Sequence, residues 1–207
     1  MGVVLSVNVG AIAPYAVGTG KRSAIVKSPV DGPVAVRGVN LDGDDQADRR
    51  VHGGPEQAVY AYARESYEWW EGELGRELAP GIFGENLTLE GIDVDGAVIG
   101  ERWAIGSTLL EVTSPRIPCV KLATRVGDPA FVKRFAAARR PGAYLRIVQE
   151  GELRVGDAVL VADRPEHEVT IALVNEALLH DHSLAERILA APQLHARARD
   201  WALERLA

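Results

Sequence analysis

The sequence predicts a mainly β protein, a closed or nearly closed barrel with a few peripheral helices and a small helical segment after it. Three observations predict this. Short runs of strand pattern recur as far as Val161, separated by turn residues. Glycine is abundant, at 21 of 207 residues, which suits a chain that turns often. The pattern also changes near residue 164: Arg164-Pro165-Glu166-His167-Glu168 reads as a polar linker, and helical spacing follows it. The predicted division is therefore a barrel over 1–163 and three short helices over 164–207.

The elements follow in order. Val3, Leu5, Val7 and Val9 alternate as in a half-buried strand. Ser23 to Lys27 and Val34 to Val36 read as further strands, and Asp42 to Pro55 as a long loop. Val59 to Tyr62 is a strand pattern. A helix from about Arg64 to Leu78 places Tyr67, Trp70 and Leu74 on one face. Trp103 to Thr113 reads as a hairpin turning at Gly106-Ser107. Asp128-Pro129 is a helix-start signal, carrying a helix to about Arg139. Ala143 to Val148 and Ala158 to Val161 are short strands. In the tail, Ser183 to Glu186 has the form of a capping box, and Gln193 to Leu206 carries Leu194, Ala198, Trp201 and Ala202 at helical spacing.

Composition removes several function classes. No apolar run approaches the roughly 20 residues that span a bilayer. Met1-Gly2-Val3-Val4-Leu5 has neither a basic n-region nor a cleavage site, so the expected location is cytoplasmic, with no membrane partner. The net charge of -6 argues against a nucleic-acid partner. So does the tail, where seven acids face four bases between 165 and 207. One cysteine cannot close a disulfide within the chain or supply an iron–sulfur cluster.

Three local patterns carry chemistry. In Ser114-Pro115-Arg116-Ile117-Pro118-Cys119-Val120-Lys121-Leu122, two prolines stiffen the loop that presents Cys119. Arg116 and Lys121 favour the thiolate, a soft metal ligand and a nucleophile. The same residues are equally compatible with a buried, inert thiol. In Gly38 to Pro55, Asp44 and Asp48 precede His52-Gly53-Gly54. Paired glycines let backbone N–H groups approach a ligand, and His52 can exchange a proton. Taken alone, the segment reads better as a long turn with Asx caps and a surface histidine. In Phe83-Gly84-Glu85-Asn86-Leu87, a carboxylate and an amide stand before a strand, for a ligand or to tie off the turn.

Their order is more specific than any part. G-x-x-x-D-G-D-x-x-A-D-x-x-x-H-G-G, then F-G-E-N-L, then S-P-R-x-P-C-x-K-L resembles the MOSC family, named for the C-terminal domain of molybdenum cofactor sulfurases. The resemblance covers roughly residues 23 to 162, and the tail resembles the three-helix domain of stand-alone, YiiM-type bacterial members. It implies a barrel like the one inserted in pyruvate kinase, and binding of the molybdenum cofactor, molybdopterin. It implies Cys119 as sulfur ligand to the metal, and as catalytic together with His52. Arg116, Lys121, Gly53, Gly54, Glu85, Asn86 and Lys27 are implied in cofactor binding. The chain has no aminotransferase-like domain, so no pyridoxal phosphate is expected to be needed.

The implied activity is reduction of small N-hydroxylated compounds, such as 6-hydroxylaminopurine, to amines. Two alternatives remain: a carrier of the cofactor or of sulfur on Cys119, and a non-catalytic binding barrel. A reductase of this kind needs two electrons per turnover, and no G-x-G-x-x-G joins a strand to a helix. A separate electron-donor protein is therefore expected, and the helical tail makes a homodimer plausible.

Overall fold

The computed structural model describes residues 1–15, 22–47 and 53–207. Seven strands form a barrel: β1 (Gly2–Val9), β2 (Val59–Ala63), β3 (Leu87–Glu90), β4 (Arg102–Ile105), β5 (Thr108–Pro115), β6 (Ala143–Gln149) and β7 (Ala158–Asp163). Around the barrel the order is β7-β4-β5-β6-β2-β3-β1, and β1 pairs back onto β7 to close it. Every pair is antiparallel except β2 with β3, where Ala61 faces Leu87. Closure leaves no open edge within the barrel. The mainly β architecture expected from the strand pattern is what forms.

Strand phase decides what faces inward. In β1 the register against β3 slips between Val4 and Ser6, so Leu5 is an extra, bulged residue. Val4 and Val7 therefore enter the core, while Leu5 is 38% exposed. The even alternation expected through Val3, Leu5, Val7 and Val9 is broken by that bulge. In β2, Val59, Ala61 and Ala63 fill the barrel. Tyr60 and Tyr62 point the other way, into an aromatic cluster with Tyr67, Trp70, Phe83, Phe131 and Phe135. Both faces of β2 are thus buried, and each large ring removed from water contributes on the order of 2 kcal/mol.

The aromatic cluster is roofed by α1 (Arg64–Leu74), α2 (Val120–Val126) and α3 (Phe131–Ala138). Helix α1 stops earlier than its apolar spacing predicts, because Gly75 takes a left-handed φ of 64° and caps it. Helix α2 begins directly after Cys119 and ends at Gly127, where φ is 81°. The expected strand from Ser23 to Lys27 does not form as one element. Arg22–Ser23 and Ser28–Pro29 are two-residue pairings, and the residues between them run across the mouth of the barrel.

The tail comprises α4 (Ile171–Leu179), a 3-10 turn at His182–Leu184, α5 (Ala185–Ile188) and α6 (Ala196–Leu206). The capping box expected at Ser183 is replaced. Asp181 accepts hydrogen bonds from both the Ser183 N–H (3.0 Å) and the Ser183 hydroxyl (2.6 Å). The carboxylate two residues earlier takes the donor and the hydroxyl together. The tail packs onto the barrel: Val174, Ile188, Leu194 and Ala202 share one buried cluster with Trp103 and Val112. Backbone bonds join them at Ile99 N–H to Val169 C=O (2.8 Å) and His195 N–H to Thr113 C=O (3.2 Å). Among the described residues, no helix is long and apolar enough to cross a membrane.

Candidate functional site

The site lies at one mouth of the barrel, where β1 and β5 end and where β2, β3 and β6 begin. Strand register sets its floor. Ser114 pairs with Tyr144, and Tyr144 with Tyr60, so the two rings stand side by side with centroids 4.9 Å apart. Arg116 follows the end of β5 and folds over this floor, with its guanidinium 4.9 Å from the Tyr60 ring centroid. The side chain is buried, and its Nε has no hydrogen-bond partner among the described residues. Burial works against its charge. The surrounding Tyr144, Tyr60, Cys119 and Glu85 groups more than offset this and hold its pKa above the ordinary value.

Lys27 reaches the same cavity from the segment that crosses the mouth, and pairs there with Asp44. Burial lowers the Lys27 pKa, and the attraction of Asp44 and Glu85 opposes that shift. Asp44 is fixed from three sides, since it also accepts from the Gly10 N–H (2.8 Å) and from Asn86 Nδ2 (2.9 Å). Asn86 spends its other contacts on the backbone, accepting from Tyr60 N–H (3.1 Å) and donating to Asn8 C=O (3.2 Å). It locks three strands at the site together.

Glu85 sits behind the cavity rather than in its wall. One carboxylate oxygen accepts from Tyr67 OH, Gly81 N–H (2.7 Å) and Thr88 OH (2.9 Å). The other is buried without a partner among the described residues. Burial raises the Glu85 pKa, and the hydrogen bond from Tyr67 acts against it. Gly84, at φ 76°, is required where it stands: a Cβ would lie 2.9 Å from Ile25 Cγ1.

Cys119 is half-buried at the rim, in extended conformation just before α2, with Lys121 beside it on the cavity wall. The cavity has a volume of about 80 Å³. Among the described residues, no cluster of three or more His, Cys, Asp or Glu could hold a metal ion. A metal at Cys119 would have to arrive with most of its own ligands.

The structure thus brings Lys27, Asn86, Arg116, Cys119 and Lys121 to one cavity. It places Glu85 behind them. Gly53 and Gly54 lie against Gln46, whose side-chain oxygen accepts from the Gly54 N–H (2.8 Å); a Cβ on Gly53 would lie 2.4 Å from that oxygen. His52 and Asp48 lie outside the described residues. Sequence reasoning missed Gln46, Tyr60 and Tyr144. The two tyrosines looked like ordinary strand residues, and only the register of β2 against β6 identifies them as the cavity floor.

The family model for the MOSC domain matches residues 48–160. Protein YflK of Bacillus subtilis is 34% identical over 176 residues, covering 84% of this chain and 80% of that one. A protein of Gibberella moniliformis named "Reductase" is 36% identical over 168 residues, covering 79% of this chain and 30% of that larger protein. The crystal structure of YiiM from Geobacillus stearothermophilus superposes over 100% of both chains, with a TM-score of 0.83 and 30% identity.

Proposed function

The chain belongs to the MOSC-domain family, and on that footing we propose that it binds the molybdenum cofactor and reduces N-hydroxylated compounds to amines. The observation that carries this reading is the pairing of Cys119 with a buried cation, Arg116, whose Nε has no partner among the described residues. A buried charge with an unmade hydrogen bond is costly, and an anionic ligand would relieve that cost. The residues present fit the group. Arg116, Lys27 and Lys121 suit an anionic phosphate and pterin end, and the Cys119 thiolate suits a soft metal.

When bound, the cofactor supplies a two-electron couple able to take the N–O oxygen and leave the amine. The chain's own residues do the rest. Cys119 would hold the metal through its thiolate. Arg116 and Lys27 anchor the anionic end, with Asn86 and Asp44 holding Lys27 in place. Glu85 balances the two buried cations from behind. Electrons come from a separate donor protein. The test is purification from a host that makes the cofactor, followed by assay of molybdenum and pterin content and of hydroxylamine reduction with a chemical reductant. A chain that carries neither molybdenum nor pterin overturns the reading. One that carries both yet reduces nothing is a carrier instead.

A further inference from the structure

Cys119 stands between two cavities. Beyond it, on the side away from Lys27, a chamber of 330 Å³ lies between the Cys119 loop and the C-terminal helices. Cys119, Tyr144 and Gln57 line both spaces, so the chamber adjoins the basic cavity at the thiol. Its other walls are mainly apolar: Ile117 and Pro118 from the loop, Leu178 from α4 and Trp201 from α6.

Gln57, Ser114, His195 and the exposed Arg197 interrupt that lining. Ser114 Oγ is buried without a hydrogen-bond partner among the described residues. His195 caps α6, its Nδ1 accepting the Arg197 N–H at 3.1 Å. A nitrogen that accepts carries no proton, so the neutral ring carries its hydrogen on Nε2. Burial lowers the His195 pKa against the pull of Glu56, which keeps the ring in that neutral form. The Nε2 atom lies 3.8 Å from Glu56 Oε2, too far for a hydrogen bond. His195 therefore offers a fixed N–H donor at the chamber wall.

We propose that this chamber is the substrate compartment, taking a small, planar, ring-bearing N-hydroxylated amine against Trp201 and Ile117, with the His195 Nε2–H on its polar edge. The proposal rests on the reductase reading above. An apolar space with few polar groups is what a neutral ring requires. The buried cations Lys27 and Arg116, with Lys121, lie on the other side of Cys119, while Arg197 stands exposed on α6, so an anionic cofactor and a neutral ring would not compete for one space. The helical tail then has a job in the site: it supplies the wall that the barrel lacks.

The experiment compares cofactor-loaded wild type with Trp201→Ala, His195→Asn and His195→Gln. Asparagine keeps an oxygen for the α6 cap but removes the ε-nitrogen, and glutamine restores an N–H further out. Turnover of phenylhydroxylamine with a chemical reductant, calorimetric binding of aniline and molybdenum content are measured on the same preparations. The expected result is unchanged molybdenum. The KM for phenylhydroxylamine rises, and aniline affinity falls, about tenfold in Trp201→Ala. In His195→Asn both change about three- to tenfold, with recovery in His195→Gln and with kcat moving less than KM. Wild-type KM and aniline affinity in Trp201→Ala and His195→Asn would overturn the chamber and leave the reductase reading standing. Loss of molybdenum from these variants would also overturn it, by placing them at the cofactor. Trp201-dependent aniline binding in a protein that reduces no N-hydroxylated probe would support the chamber and overturn the reductase reading.

Discussion

The Arg116 guanidinium stacks over the Tyr60 ring, 4.9 Å from its centroid, while its Nε is left without a hydrogen-bond partner among the described residues. The ring face accommodates the charge but does not satisfy its donors. Charge-assisted hydrogen bonds contribute about 1.5–3 kcal/mol each, or roughly ten- to a hundredfold in affinity. Arg116→Ala should therefore lower cofactor retention by at least about tenfold, and Arg116→Lys should restore only part, because lysine lacks the planar fork. Lys121→Ala should have a smaller effect that shrinks as salt rises, since Lys121 is more exposed and its charge is screened. Molybdenum content after dialysis at low and high salt measures both. Wild-type retention in the Arg116 and Lys121 variants would leave these side chains a structural role only.

Cys119 gives a sharper test. Its side chain is only half-buried, so Cys119→Ser changes the melting temperature little. A hydroxyl is a harder and poorer ligand for molybdenum than a thiolate. Reduction of an N-hydroxylated substrate should therefore be abolished while the fold persists. A serine variant with full activity would sink the ligand assignment.

The strands were legible in the sequence wherever one face is apolar and the other polar, as in the Trp103 to Thr113 hairpin. Legibility failed where tertiary context overrides local pattern. The bulge at Leu5 flips the phase of β1, and no local residue signals it. Helix α2 begins immediately after a proline-rich loop, in a run too short for helical periodicity to register. At the site, charge and motif order pointed to Arg116, Cys119 and Lys121. They did not show that Asn86 is spent on Asp44 and the backbone, nor that Glu85 lies behind the cavity. Both facts depend on strands far apart in sequence.

Asp95 links barrel and tail and makes stability depend on pH. Its carboxylate accepts the Gly142 N–H (2.9 Å), and its backbone carbonyl accepts the Ala172 N–H of α4 (2.8 Å). Burial pushes its pKa up to about 6, and the Gly142 hydrogen bond pulls the other way. The folded chain thus holds this proton more tightly than the unfolded chain does. The contribution is fully present below about pH 4 and is lost as pH rises through about 6. Asp95→Asn should flatten that slope and raise stability at pH 7 to 8 by about 2 kcal/mol. Denaturant titrations of both proteins at pH 4.5 and 7.5 read this directly. An unchanged slope in Asp95→Asn would mean that another group titrates.

The last prediction concerns electrons. Each reduction of an N-hydroxylated substrate consumes two. One cysteine cannot hold an iron–sulfur cluster, and the sequence contains no dinucleotide-binding fingerprint between a strand and a helix. Among the described residues, the barrel core is filled by side chains such as Trp103, Leu110 and Leu145. Cofactor-loaded protein given NADH or NADPH alone should therefore not turn over. A flavin reductase with an electron carrier, or a chemical reductant, should start it. Deleting residues 165–207 does not give a clean test of donor docking, because the tail shares its buried core with Trp103 and Val112. Substitutions on the exposed face of α6, such as Leu203→Glu and Leu206→Glu, leave that core intact. If the donor docks there, they should slow donor-driven turnover severalfold and leave turnover with the chemical reductant unchanged. Steady NADH-driven turnover by the isolated chain would contradict the need for any donor.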